Sequence, residues 1–253
     1  MTGKTASVAV RTAIDVGYRH IDTAAMYKNE ADVGKGIKQS GIDRGELFLT
    51  TKVWPDQLSR DNLRRSAANS CKLLGVNQVD LLLIHWPSSS MTAAEMIENL
   101  NLAKSEGYAR HIGVSNFPSK LLDEAWKTTT HPLVVNQCEY HPELDQQTVL
   151  AACRRHNMGF VSYRPLSRGA AAAHPAVQGL VAKYGKSFSQ VILRWHIQQP
   201  NVIAIPKSAT PTRIQENFNI FDFELTDDEM ATLHQMAKPD GRTCDFDFSP
   251  DWD

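Results

Sequence analysis

The chain has 253 residues, 42% hydrophobic and 22% charged, with 27 basic against 28 acidic side chains and a net charge of −1. That length suits one large α/β domain over residues 1–253 whose core needs no disulfide or structural metal, and the even charge argues against a nucleic-acid binder, which needs a basic footprint for phosphates. Four scattered cysteines without a CxxC pair argue against a disulfide framework or zinc site and fit a reducing, cytoplasmic setting, while no apolar run reaches a membrane span and no signal peptide is recognisable.

In chain order, a helix pattern from Thr5 to Val16 stops at Gly17. Seven short, β-branched and leucine-rich runs then read as buried strands: His20–Asp22, Leu47–Lys52, Val79–His85, Arg110–Ser115, Val134–Gln137, Gly159–Tyr163 and Val202–Lys207. Helix patterns lie between them. One opens at Ser59, runs to Leu74 and closes at Gly75; the next opens on the capping-box pattern Thr92–Glu95 and ends near Gly107. Helices Pro211–Asn217 and Thr226–Ala237 and an irregular tail follow, the C-terminal extension beginning at about residue 218. Strands separated by helices imply βαβ units and a parallel sheet.

All seven runs finish on polar or ionisable residues: Asp22, Lys52, His85, Ser115 with Asn116, Gln137, Tyr163 and Lys207. A doubly wound sheet needs such ends only near its switch point, whereas the C-terminal rim of a (β/α)8 TIM barrel gathers them all. The expected fold is therefore a (β/α)8 barrel. Seven strands are one too few, which would leave a seam of unpaired backbone between the strands ending at Asp22 and Lys207.

Two glycine patterns are decoys. Gly179–Ser187 looks like a phosphate loop, but five residues rather than four separate Gly179 from Gly185, and a helix rather than a strand precedes it. Gly34-Lys-Gly36 lacks the rest of a dinucleotide-binding turn and its leading strand. Any dinucleotide here is bound without a Rossmann fold.

Asp22, Lys52 and His85 share the rim, and a short loop adds Tyr27. Singly, each has an ordinary structural explanation. Together they suit proton delivery. A phenol titrates near ~10, a lysine beside it favours the phenolate, and an aspartate holds the lysine. A neutral histidine can donate to a carbonyl oxygen on which negative charge grows. Trp54 and Trp86 follow rim residues and are expected to wall the substrate pocket. His141 is read as structural, and Arg164 and Arg168 as possible partners for an anionic substrate or a pyrophosphate.

Six separated motifs carry a family resemblance: Gly17–Ala24 with Tyr27, Thr51–Trp54, Leu83–Pro87, Gly113–Phe117, Asn136-Gln137 and Ile205–Ser208. In order and spacing, along essentially the whole chain, they resemble the aldo-keto reductase family. The resemblance implies a barrel that binds NADPH in extended form and reduces aldehydes or ketones. By position it implies a catalytic tetrad of Asp22, Tyr27, Lys52 and His85, with Tyr27 as the general acid. It implies carboxamide contacts from Ser115, Asn116 and Gln137, nicotinamide stacking on Tyr163, and an adenosine end at Lys207, Ser208, Arg213, Glu216 and Asn217. Lys207 and Arg213 beside a helix start also suit a 2′-phosphate on physical grounds, so NADPH is expected over NADH.

The short loops and tail resemble the compact bacterial members, such as 2,5-diketo-D-gluconate reductases and methylglyoxal reductases. This implies small dicarbonyl substrates and, from the family, a monomer without a nucleic-acid, membrane or metal partner. Such members begin with a glycine-containing strand, so Met1 is expected to be internal, with roughly a dozen residues of the barrel missing before it. The alternatives are a non-catalytic NADPH-binding redox-sensor module on the same fold, which would not need the tetrad, and a metal-dependent hydrolase, for which the rim has too few ligands.

Overall fold

Local start and stop signals fold as their chemistry requires in the computed structural model, which describes residues 1–253. Helix α1 (Gly3–Val16) ends on Gly17, and α2 (Glu30–Ser40) follows the first strand. Helix α3 (Arg60–Leu74) ends on Gly75 in the left-handed conformation, φ 73°. Thr92 and Glu95 exchange both bonds of a capping box at the start of α4 (Ala93–Ser105). Helices α5 (Ser119–Thr128), α6 (Gln147–Arg155), α7 (Pro175–Tyr184) and α8 (Phe188–Ile197) continue the layer, followed by α9 (Pro211–Phe218) and α10 (Asp227–His234). The phosphate-loop look-alike is a helix stop and start. Gly185 closes α7, and Ser187 forms a capping box with Gln190 on α8.

The strands are β1 (His20–Asp22), β2 (Phe48–Val53), β3 (Val79–Ile84), β4 (Ala109–Ser115), β5 (Leu133–Glu139), β6 (Gly159–Tyr163) and β7 (Val202–Ala204). They form one sheet in sequential order, every neighbouring pair parallel. The sheet is strongly curled. Gln137 on β5 hydrogen-bonds Asp22 at the end of β1 across 2.9 Å, although four strand spacings would separate them by ~19 Å in a flat sheet. Leu81 and Leu83 of β3 meet Val135 and Val161 inside the curl, while the larger core lies between the sheet and the helices. This is a (β/α)8 barrel lacking one strand.

The edges β1 and β7 do not pair with each other, and no eighth strand lies between them. The outer layer bridges the seam instead. Tyr18, just past α1, meets Phe218 of α9 edge-on at 4.8 Å, and a Cβ on Gly17 (φ 125°) would lie 2.8 Å from the Phe218 ring.

Three boundaries differ from expectation. The last strand stops at Ala204, because Ile205 donates to Ser162 and the next residue, Pro206, has no N–H to continue the ladder. Lys207 thus sits in the following loop rather than at the strand end. The last helix runs only from Asp227 to His234, and α9 reaches Phe218. The rim assignments otherwise shift by one or two residues: His85 follows β3, and Gln137 lies within β5.

Gly34 and Gly36, the second decoy, are packing glycines. A Cβ on Gly34 would lie 2.5 Å from the Leu74 carbonyl oxygen, and one on Gly36 would lie 2.6 Å from that of Ser7. Gly36→Ala gains ~1 kcal/mol of helix propensity but forces α1 off α2 at a cost of ~1–3 kcal/mol. Urea unfolding should show a net loss of about 1 kcal/mol; an unchanged or higher midpoint would mean that the two helices separate freely.

Candidate active site

The sheet brings Asp22, Lys52, Tyr27 and His85 together. Lys52 projects from β2 into the barrel, is fully buried, and is ion-paired to Asp22, with a further bond to the Thr23 carbonyl at 2.9 Å. Tyr27 ends a 3-10 turn, Ala25–Tyr27, closed by its own N–H to the Ala24 carbonyl. The Lys52 ammonium lies 5.4 Å from the centre of the Tyr27 ring, and His85 meets the same ring edge-on at 5.5 Å. Burial raises the Tyr27 pKa, and Lys52 opposes that rise without overcoming it, so the phenol is protonated at neutral pH. The His85 backbone is pinned on both sides, by Val53 and by the Asn116 amide. Burial, then the Lys52 charge, lowers its imidazole pKa to about 3, and its Nδ1 is buried without a partner in the chain. His85 is therefore neutral at neutral pH, with one ring nitrogen carrying an N–H and the other able to accept.

Ser115, Asn116, Gln137 and Tyr163 form one connected network beside these four. The Ser115 hydroxyl donates to the Gln137 carbonyl at 2.7 Å, Tyr163 donates to Asn116 Oδ1 at 2.7 Å, and Asn116 reaches Ser115 at 3.1 Å. Asn116 is left-handed, φ 62°, which turns its amide inward at the end of β4. The Gln137 amide N–H groups reach Asp22, so the network joins the buried ion pair. Sequence reasoning had no signal for that bond, because the residues are 115 apart in the chain.

Lys207, Ser208, Arg213, Glu216 and Asn217 lie on the loop after β7 and on α9. Lys207 and Arg213 are exposed and take part in none of the ion pairs. Thr210 gives α9 no side-chain cap, so its first N–H groups are available to an anion. Glu216 accepts from Ser187, the residue that caps α8, and Asn217 is buried, so both also fasten the helix layer. Two free cations beside uncapped N–H groups fit the phosphate end of a dinucleotide, and the buried amides of Asn116 and Gln137 fit a carboxamide.

The C-terminal tail was not foreseen as part of the site. Trp54 packs edge-on against His85 at 5.1 Å, and Phe248 of the tail packs on Trp54 at 5.7 Å. Phe246, Phe248 and Trp252 surround Trp86 at 5.7, 5.5 and 5.9 Å, leaving it only 5% exposed. Trp86 therefore supports the tail as much as it walls a pocket. Arg164, expected near an anion, instead donates to the carbonyl and hydroxyl of Thr243 in the tail. Arg168 is exposed. His141 is wholly buried, 3.4 Å from the buried carboxylate of Glu139. The sequence signal for the tail was its aromatic spacing, Phe246, Phe248 and Trp252, but nothing in it says where an irregular segment lies.

A sequence model described as the Aldo/keto reductase family matches residues 1–238. The chain is 40% identical over 231 residues to the 9,11-endoperoxide prostaglandin H2 reductase of Trypanosoma cruzi (strain CL Brener), covering 90% of this chain and 81% of that one. It is 38% identical over 235 residues to methylglyoxal reductase DkgA of Escherichia coli (strain K12), covering 90% and 83%. Among solved structures, a protein provisionally assigned as a 2,5-diketo-D-gluconic acid reductase B superposes with TM-score 0.98 at 43% identity, covering 100% of this chain and 90% of that one. A Bombyx mori aldo-keto reductase in complex with NADP superposes with TM-score 0.86 at 35% identity, covering 93% and 84%.

The electrostatics of His85 are directly measurable. Its imidazole nitrogen chemical shifts should show no titration between pH 5 and 8, whereas a midpoint near 6.5 would contradict the burial described here. The unfolded chain takes up this proton near pH ~6.5 and the folded chain does not. His85 therefore contributes a loss of stability as pH falls from there toward about 3.

Proposed function

Because the chain belongs to the aldo/keto reductase family, we propose that it reduces small aldehydes and ketones to alcohols with NADPH, Tyr27 giving the proton. The observation that carries this reading is the convergence of a protonated phenol, a buried lysine and a neutral imidazole on one spot of the rim. NADPH supplies the hydride to the carbonyl carbon. The protein's own residues do the rest. His85 donates a hydrogen bond to the carbonyl oxygen and orients it toward Tyr27. Tyr27 gives its proton to that oxygen as negative charge develops there, and the C=O bond becomes CH–OH. The phenolate left behind is stabilised by Lys52, which Asp22 holds in place, and is reprotonated from solvent, to which Tyr27 is 43% exposed.

Asn116, Gln137 and Ser115 are the groups we assign to the nicotinamide carboxamide, and the Tyr163 ring to its face. Their mutual hydrogen bonds support this by holding the amides in one orientation before binding. Lys207 and Arg213 are assigned to the 2′-phosphate, with Ser208, Glu216 and Asn217 completing the adenosine end. Small dicarbonyls such as methylglyoxal or 2,5-diketo-D-gluconate are the proposed substrates, in line with the names of two of the relatives. The balanced charge and the four unpaired cysteines support a cytoplasmic setting, and the family resemblance a monomer.

Tyr27→Phe should lower the turnover of methylglyoxal by ~10²–10⁴-fold while leaving NADPH affinity, read from cofactor fluorescence, nearly intact. Retained turnover would remove Tyr27 from the role of acid. NADPH binding without oxidation by any carbonyl in the wild type would favour a sensor. The double variant Lys207→Ala, Arg213→Ala should raise the KM for NADPH much more than that for NADH; equal losses would remove the 2′-phosphate assignment.

A further inference from the structure

Glu139 is a buried carboxylate that the proposed chemistry does not use. It stands at the end of β5, two residues past Gln137, and is fully buried. Burial alone would raise its pKa. The His141 side chain, the Thr243 hydroxyl and the backbone N–H groups of Cys244 and Thr243 outweigh burial and bring it down to about 2. His141 only approaches the carboxylate, at 3.4 Å, and the groups that donate to it belong to the tail. Thr243 N–H lies 3.1 Å from each carboxylate oxygen, the Thr243 hydroxyl bonds Oε1, and Cys244 N–H bonds Oε2 at 2.8 Å. A charge is costly to bury unless it is paired and fully hydrogen-bonded, and here the tail, about 104 residues away in sequence, does most of that.

The same short stretch is fixed from both sides. Just upstream, Gly241 is wedged against the Glu143 backbone so closely that a Cβ would lie 1.8 Å from the Glu143 carbonyl oxygen, and Lys238 bonds the Glu143 carbonyl at 3.0 Å. Arg164 grips Thr243 from the loop after β6, where it adopts a left-handed φ of 49°. Downstream, the tail closes a turn in which Ser249 N–H bonds the Phe246 carbonyl and Phe246 N–H bonds the Ser249 hydroxyl. Phe246 stands two residues beyond Cys244, so with Cys244 held its Cα can stray only ~7 Å from it, and Phe248 only ~14 Å. Pinning Thr243 and Cys244 therefore restricts where the Phe246 and Phe248 rings can rest on Trp54 and Trp86. Trp252 is held from the far end, where the Asp253 carboxylate accepts from the Ser119 N–H and hydroxyl.

We propose that Glu139 is a positioning residue for substrate binding: its carboxylate latches the C-terminal tail, through Thr243 and Cys244, so that the tail's aromatic rings form a wall of the pocket beside His85. The proposal rests on the reductase reading for its effect on substrate but not for the latch itself. Glu139 touches no reacting group. Its influence passes through the tail to Phe248, Trp54 and the edge of His85.

The latch has a readout independent of catalysis. Trypsin cuts after arginine, and the Arg242–Thr243 bond enters the latched segment, whereas the bond after Lys238 precedes Pro239 and resists cleavage. Glu139→Gln keeps the side chain's size but sets an amide N–H against at least one tail N–H. In the folded full-length chain it should speed cleavage after Arg242 about tenfold, the loss expected for one charge-assisted hydrogen bond, without speeding cleavage elsewhere. In the same variant the KM should rise more than kcat falls, and more for an aromatic aldehyde than for methylglyoxal. Thr243→Val, which removes one donor and leaves the carboxylate, should move both readouts the same way by less, and carries the test if Glu139→Gln does not fold. Cleavage after Arg242 that is no faster than wild type, or faster only in step with every other site, would overturn the latch. Faster cleavage at Arg242 with unchanged KM values would overturn the positioning role. If the wild type turns over no carbonyl, the reductase reading fails and the cleavage pattern still decides the latch.

Discussion

The site depends on a buried cation. Lys52 lies on an inner strand face with no exposed surface, and an unpaired ammonium there would cost several kcal/mol. Asp22 on the neighbouring strand and the Thr23 carbonyl solve that problem, and Gln137 from the far side of the curl binds the second oxygen of Asp22. The pair thus fixes the register of β1 against β2 and ties β5 across the interior. Its charge then acts on both neighbours. It is one cause of the neutrality of His85, and it offsets part of the burial that keeps Tyr27 protonated. One ion pair fixes the strands and sets the charge beside His85 and Tyr27, and removing either partner would leave the other's charge buried without its counter-ion.

Around this centre the barrel is asymmetric. Strands β2 to β6 carry the core of the sheet, whereas β1 and β7 are three-residue edges with no strand between them. The helices α1 and α9 hold the outer layer together across that seam through Tyr18, Gly17 and Phe218. The tail does comparable work on the rim. It satisfies Glu139, occupies Arg164 and shields Trp86, so the packing around Trp86 is made partly by a segment without regular secondary structure.

Much of this was legible in the residues. Helix stops at Gly17, Gly75 and Gly185, the capping box at Thr92 and the helix start near Ser187 are local devices, set by backbone conformation and by bonds within four residues. Continuous apolar strands with polar ends announced a parallel sheet with a polar rim, and Asp22, Tyr27, Lys52 and His85 do meet there. The last strand was read too long because Ile205 and Pro206 continue an apolar run with Lys207 as its polar end, and the missing proline N–H cuts the ladder short. Arg164 was read as an anion contact because a charge near a rim says nothing about which partner will reach it first.

The sequence by itself determined the elements, their order, the parallel sheet and the residue types on its rim, since each follows from periodicity and contacts a few residues long. Only the tertiary structure decided which distant groups are bonded. The Gln137–Asp22 bond, the glycine contacts of α2 with its neighbours and the Glu139 anchor of the tail join residues from about 25 to 115 positions apart. Such bonds form because curling the sheet and burying polar groups require partners wherever the fold happens to bring them, and that requirement leaves no pattern in the local sequence.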